Sequence, residues 1–158
     1  MPADVTPVTL RPAAPDDGCF LFECRNDPAI VARGTSQRTV TWDEHCVWFD
    51  ASLADPGRRL LFIAETGAIP VGVVRFDRDE AGATVSAYLA PRFIGKGLGV
   101  AAIRAGCAEA KKHWGVARIL ACVRDDNDAG QRAFLKAGFE SADTGLCPSR
   151  HTAFLLHP

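Results

Sequence analysis

The sequence predicts a mixed α/β fold, a central and mostly antiparallel sheet with helices on both faces. Three observations carry this expectation. Between residues 60 and 90, three apolar runs follow one another across short turns, as in an antiparallel meander. The runs at 83–90 and 119–123 flank a helical stretch at 98–114. That strand–helix–strand unit should cross over right-handed with its two strands parallel. The chain has 158 residues, 47% hydrophobic and 23% charged, which suits one domain (1–158) with a proper core.

Taken in order, Val8 to Arg11 reads as a first strand, ended by Pro12. Asp16 to Arg25 reads as a helix that Asn26-Asp27-Pro28 stops, with a short loop or helix running on to Arg38. Thr41-Trp42-Asp43-Glu44 has the capping-box pattern. Trp42, Cys46, Phe49 and Leu53 then recur at helical spacing as one apolar face, and Asp55-Pro56-Gly57 closes the helix. The meander strands are Leu60–Glu65, Val71–Asp77 and Ala83–Ala90. Helix 98–114 carries the stripe Ile103, Cys107, Ala110 and Trp114. Ile119–Val123 is a strand and Asp128–Ala137 a helix, with Gly138 where a C-terminal glycine belongs. Phe139 onward and Thr152–Leu156 read as two last strands.

A net charge of −1 gives no global attraction to nucleic acid or to an anionic membrane surface. No apolar run approaches the ~20 residues of a membrane span. The segment MPADVTPVTLRP lacks the charged-then-apolar pattern of an export signal, so a cytoplasmic protein is expected. Cys19, Cys24, Cys46, Cys107, Cys122 and Cys147 show no Cys-x-x-Cys spacing, which argues against zinc and for small reduced core residues. No metal site is expected.

The stretch RFIGKGLGV, residues 92–100, places three glycines in five positions between a strand and a helix. Such a loop offers unpaired backbone N–H groups and a helix N-terminus to an anion, and phosphate is the natural guest. A P-loop is excluded because Gly97, and no serine or threonine, follows Lys96. A dinucleotide fingerprint fails at its third glycine, where Val100 stands.

Arg92-x-x-Gly95-x-Gly97, preceded by Leu89-Ala90-Pro91, resembles the acyl-CoA signature of the GNAT N-acetyltransferases. Asn127-Asp128-Ala129 followed by Phe134-Leu135-Lys136-Ala137-Gly138-Phe139 resembles that family's later motif. With the element order, the resemblance covers nearly the whole chain. It implies a GNAT-like sheet, acetyl-CoA as donor, and transfer of acetyl to a primary amine by direct attack. It implies that N–H groups from Gly95 to Val100, Lys96 and Gly99 included, hold the pyrophosphate, with Arg92 beside them. Backbone at Tyr88, Leu89 and Ala90 would pair with the pantetheine arm. Asn127, also a good N-cap, would contact the same arm. Relatives carry a basic residue where Ile94 stands, and a proton-donating tyrosine where Phe134 stands; Phe134 cannot donate.

Three residues are candidates for proton chemistry. Tyr88, the one tyrosine of the chain, lies on the strand beside the expected thioester and is the candidate acid. Glu65 at a strand end could act as base through water, and His45 on the capped helix as base or substrate ligand. Arg132 and Lys136 are within possible reach of CoA phosphates. On the acceptor side, Arg25 suits a phosphate, and Trp48 or Trp42 either stacks on a base or sugar or packs in the core. The pairing of Arg25-Asn26-Asp27-Pro28 with the 41–49 helix start resembles a branch that acetylates amino-sugar nucleotides, and is similar to one that acts on ribosomal-protein N-termini. The acceptor is therefore expected to be an amino-sugar nucleotide, with a protein N-terminus, another small amine, or a CoA-binding role without turnover as alternatives. Relatives often form homodimers.

Overall fold

The computed structural model describes residues 7–158. The absence of an export signal was read partly from residues 1–6, which lie outside the described residues. The elements are β1 (Val8–Pro12), α1 (Gly18–Asn26), α2 (Pro28–Arg33), α3 (Trp42–Ala54), β2 (Arg59–Thr66), β3 (Ile69–Asp79), β4 (Gly82–Leu89), α4 (Leu98–Trp114), β5 (Ile119–Arg124), α5 (Asp128–Lys136), β6 (Glu140–Ala142) and β7 (His151–Leu156). The expected first helix is split: Pro15–Asp17 form a 3₁₀ turn ahead of α1. The segment after it does form a short helix, α2, which Asp27 caps by accepting from the Ala29 N–H.

The seven strands make one sheet in the order β1-β2-β3-β4-β5-β7-β6. Every neighbouring pair is antiparallel except β4 and β5. Alternating strand residues face two cores. On one face, Ile103, Cys107 and Ala110 of α4 and Phe134 of α5 pack on Phe62, Phe76, Ile119 and Val123. On the other, Leu21 of α1 and Phe49 of α3 pack on Leu61, Ile63 and Val73. Among the described residues no helix is long and apolar enough to cross a membrane.

The apolar face of α3 is not the one that residue types suggest. The buried positions are His45, Phe49 and Ser52, while Trp42 is 45% exposed. Two polar residues can face the core because each is satisfied there. His45 Nε2 pairs with the Gly18 carbonyl at 2.9 Å. Ser52 donates to the Trp48 carbonyl at 2.7 Å and accepts from Arg59 Nη1 at 2.9 Å. The expected capping box is present, Thr41 Oγ1 accepting from the Glu44 N–H and Glu44 from the Thr41 N–H.

Two irregularities shape the sheet where β4 meets β5. Ala64 opposes Gly72 while Glu65 opposes Pro70, so Val71 is an extra residue in β3. Such a bulge bends and twists its strand. Gly72 beside it is required, because a Cβ there would lie 2.5 Å from the Tyr88 carbonyl oxygen. β4 follows the bent β3 down to the Leu89–Gly72 pair. It pairs with β5 only through Ala83–Ile119 and Thr84–Leu120. Beyond Thr84 the two strands part.

The cysteines correct the expectation of six reduced core thiols. Cys122 on β5 and Cys147 in the β6–β7 connection form a disulfide, with Cα atoms 5.5 Å apart across 25 residues of sequence. Cys19 is exposed, Cys46 half-buried, and Cys24 and Cys107 buried. Burial pushes the Cys24 thiol up to about 11 and the Cys107 thiol to about 12. Thiol counting on air-oxidised protein should therefore find Cys19 reacting fast, Cys46 more slowly, and Cys24 and Cys107 only after unfolding. Two more thiols should appear only after reduction; six without reductant would remove the disulfide.

Candidate active site

The glycine loop follows a 3₁₀ turn at Pro91–Phe93 that the Phe93 and Ile94 N–H groups close. Gly95 and Gly97 adopt φ of +83° and +76°, and a Cβ at either would meet nothing within 4 Å. Among the described residues the N–H groups of Gly95, Lys96 and Gly97 donate to no backbone acceptor, and Gly97 opens α4 without a side-chain cap. The next N–H groups, at Leu98, Gly99 and Val100, belong to the first helical turn and lack intrahelical partners by construction. The result is a run of unpaired backbone N–H groups in open space at a helix N-terminus. Arg92 and Lys96 are exposed beside it, both over the Phe93 ring. A Cβ on Gly99 would touch Leu89 at 3.6 Å, so the helix start packs against the end of β4.

That end of β4 has a free edge. The Ala90 N–H donates to the Val71 carbonyl at 2.8 Å. Antiparallel pairing alternates, so Tyr88 bonds towards β3 while the backbone groups of Leu89 and Ala87 face the gap left by β5. An extended chain lying in the gap would find both donor and acceptor there.

On the α1–α3 face of the same strand lies a cavity of about 320 Å³. Among its lining residues are Arg25, Glu44, His45, Trp48, Arg75, Ser86 and Tyr88. Tyr88 is half-buried, and burial is the main cause that pushes its phenol well above the usual range. The charge of Cys24 adds to this, and Arg75 and Arg25 oppose it. The phenol therefore keeps its proton at neutral pH.

His45 is buried on the core side of α3. A carbonyl only accepts, so Nε2 donates in the contact with Gly18, and in the neutral ring the lone pair is then on Nδ1. Its ring stacks on Phe49 at 5.7 Å. Trp48 lines the cavity, but its ring already carries Arg59 and Arg75 at 5.5 and 5.7 Å. Trp42 is not brought there; it packs edge-on against Phe22. Arg25 donates to the Arg38 carbonyl and to Ser36 Oγ. Glu65 is not brought to the cavity either. Its carboxylate accepts from Arg11 Nε at 2.9 Å, two strands away from β4.

On the opposite face, Phe134 is buried against Phe139, with ring centroids 5.1 Å apart. Asn127 caps α5 by accepting from the Gly130 N–H at 3.0 Å, an approach that a Cβ on Gly130 would block. Arg75, Ser86 and Arg38 are cavity residues that sequence reasoning passed over. The signal for Arg75 was available: a lone charge inside the apolar run Val71–Phe76, on the face opposite Val74 and Phe76.

This combination of a splayed β4–β5 pair, an N–H cradle at the start of α4 and an adjoining cavity defines an acyltransferase-type architecture. The family model described as acetyltransferase (GNAT) domain matches residues 8–140. The chain belongs to that family and is an acetyl-CoA-dependent acetyltransferase. Among solved structures it is similar to aminoglycoside acetyltransferase AAC(6')-Ib in complex with coenzyme A and kanamycin, at 22% identity and a TM-score of 0.82. The match covers 95% of this chain and 94% of that one. It is also similar to spermidine N-acetyltransferase from Vibrio cholerae in complex with CoA and spermine, at 17% identity and a TM-score of 0.83, covering 95% of both chains. A third similar structure is yncA, a putative acetyltransferase from Salmonella typhimurium with acetyl-CoA, at 22% identity and a TM-score of 0.78, covering 95% and 93%. At these identities the likeness shows the fold. No curated protein sequence matches the chain.

The residues present fit acetyl-CoA. Nothing lies within 4 Å of a Cβ at Gly95 or Gly97, the N–H donors a pyrophosphate would need have no backbone partner among the described residues, and the gap beside Leu89 exposes the groups an amide-bearing arm would need.

Proposed function

We propose that residues 1–158 act as a single N-acetyltransferase domain that acetylates the primary amine of a small molecule, by direct attack. The observation that supports this reading best is the parting of β4 from β5 beside both the N–H cradle and the cavity. When bound, acetyl-CoA supplies a thioester whose acyl carbon gains a bond to nitrogen as its bond to sulfur breaks. The Gly95–Val100 N–H groups hold its phosphates, and Leu89 and Ala87 orient the arm. Tyr88 holds at its hydroxyl the proton that the departing sulfur needs. Phe134 cannot donate one, and Tyr88 lies on the strand next to the gap. His45, with its lone pair on Nδ1, is the base or acceptor ligand. Glu65 is committed to Arg11 and drops out of this reading.

For the acceptor we favour an amino-sugar nucleotide. Support comes from the cationic side chains of the cavity and from its place next to Tyr88. The amines named in the similar structures, kanamycin and spermine, are the competing acceptors.

The test has two steps. Melting with acetyl-CoA, CoA or NAD should show a rise with the first two alone. Turnover read as free thiol should then appear with a UDP-amino sugar, and Tyr88→Phe should lower kcat about 100-fold or more. No melting shift with either CoA species would remove the donor site. Unchanged kcat in Tyr88→Phe would remove the acid.

A further inference from the structure

The cavity beside Tyr88 is charged in one direction. Three guanidiniums line it, from Arg25, Arg38 and Arg75, against the single carboxylate of Glu44. Glu44 is already committed to the Thr41 N–H at 2.8 Å and to Arg38 at 3.4 Å. The two Arg25 Nη atoms are committed to Arg38 and Ser36. Arg75 differs from both. It stands on the sheet floor, in register with Ser86 across the β3–β4 ladder. Its Nε lies 3.0 Å from Asp77 Oδ2 without the alignment of a hydrogen bond. Its Nη2 reaches Ser86 Oγ only at 3.4 Å, and its Nη1 donates to no group among the described residues. The outer edge of the guanidinium is therefore largely unused.

Its position is nevertheless held from behind. Asp77 bridges Arg75 and Arg59, the latter through Nε at 2.5 Å. Arg59 is anchored in turn on Ser52, and both guanidiniums lie over the Trp48 ring. A fixed, half-buried fork with free N–H groups matches the geometry of a phosphate or carboxylate. Tyr88 is two residues along β4 from Ser86 and on the same face, a spacing of about 7 Å. An anion seated on Arg75 would thus belong to the same small molecule as an amine placed near Tyr88.

We infer that Arg75 is a specificity-determining residue for the acceptor, its free guanidinium edge and Ser86 Oγ receiving a phosphate or carboxylate carried a few bonds from the reacting amine. This rests on the reading of the cavity as the acceptor site. It also sets the chain apart from acetyltransferases of polycations. A second ammonium on the acceptor would meet Arg75 and Arg25 with no uncommitted carboxylate to receive it.

The test uses the full chain at saturating acetyl-CoA with a matched pair, glucosamine 1-phosphate and glucosamine, and with spermidine. The expected order in kcat/KM is glucosamine 1-phosphate about 10-fold or more above glucosamine, with spermidine lowest. Arg75→Gln should bring the matched-pair ratio close to one, mainly through KM, and Arg75→Lys should keep part of it. Acetyl-CoA affinity, measured separately, should stay at the wild-type value in both variants. A wild-type preference for spermidine or glucosamine would overturn the inference, as would an Arg75→Gln variant that loses both sugars equally. If none is turned over, calorimetric binding of the same compounds decides. Binding of the phosphorylated sugar to wild type but not to Arg75→Gln upholds the inference, and no binding to wild type overturns it. Loss of acetyl-CoA binding by wild type would instead mark failure of the acetyltransferase reading.

Discussion

Gly97→Val is expected to raise the Kd for acetyl-CoA by about 100-fold or more while leaving the chain folded. Gly97 sits at φ +76°, a region that a β-branched side chain occupies only under strain. Nothing lies within 4 Å of the space a Cβ would fill, so the folded protein has no clash to relieve. The N–H groups of Gly95, Lys96 and Gly97 in the same loop have no backbone acceptor among the described residues. A valine there both displaces the peptide planes and covers them. Losing one or two charge-assisted hydrogen bonds to phosphate removes ~3 kcal/mol, which sets the fold-change. The backbone strain of ~1–2 kcal/mol should lower Tm by roughly 2–6 °C. Calorimetry with acetyl-CoA beside a melting curve separates the two effects. An unchanged Kd would show that the cradle does not hold the ligand.

The second large effect is structural. Asp17→Asn should destabilise the chain by ~2–3 kcal/mol, because Asp17 is 8% exposed and satisfies three donors at once. Its carboxylate accepts from Arg11 Nη1 and Nη2 at 2.7 and 2.8 Å, and from the Ala14 N–H at 2.7 Å. An asparagine offers one oxygen and turns an NH₂ towards the guanidinium. The partial exposure of Arg11 keeps the cost below that of a fully buried pair. The same Arg11 spans β1 and β2 to Glu65, so the loss reaches the sheet edge.

The pH dependence follows from the sign of the shift. The Arg11 hydrogen bonds, chiefly, hold the Asp17 carboxyl below its ordinary range, against the effect of burial. A depressed folded value means a contribution fully present above the unfolded value of ~4 and lost as pH falls through the folded one. The stability gap between wild type and Asp17→Asn should therefore be constant near neutrality and narrow below about pH 4. A gap that stays constant down to pH 2 would show that the ion pair is not its source.

The Arg11–Asp17–Glu65 triad also shows where reading the sequence reaches its end. Residue type marks Glu65 as a titratable group at a strand end, and nothing local distinguishes a base from a structural anion. Only the β1–β2 register, which sets Thr9 opposite Glu65, brings Arg11 within reach. The disulfide is another case. Twenty-five residues separate Cys122 from Cys147, and no short-range spacing rule spans that distance.

What the sequence determined by itself is what depends on local chemistry. Apolar runs joined by short turns gave the meander, the capping box gave the start of α3, and glycine density gave the cradle, because only glycine takes positive φ at low cost. The order of those elements then limited the sheet to a few topologies, and the Arg92–Gly97 and Asn127–Phe139 motifs carried the resemblance to the family that the chain belongs to. The tertiary structure alone decided what depends on partners far apart in the chain. It buried His45 and Ser52 through hydrogen bonds that helical periodicity cannot foresee. It opened β4 from β5 beside a single extra residue in β3. It brought Arg75, Trp48 and Tyr88 to one cavity, since a side chain's surroundings across a sheet are set by register and packing, which no single segment encodes.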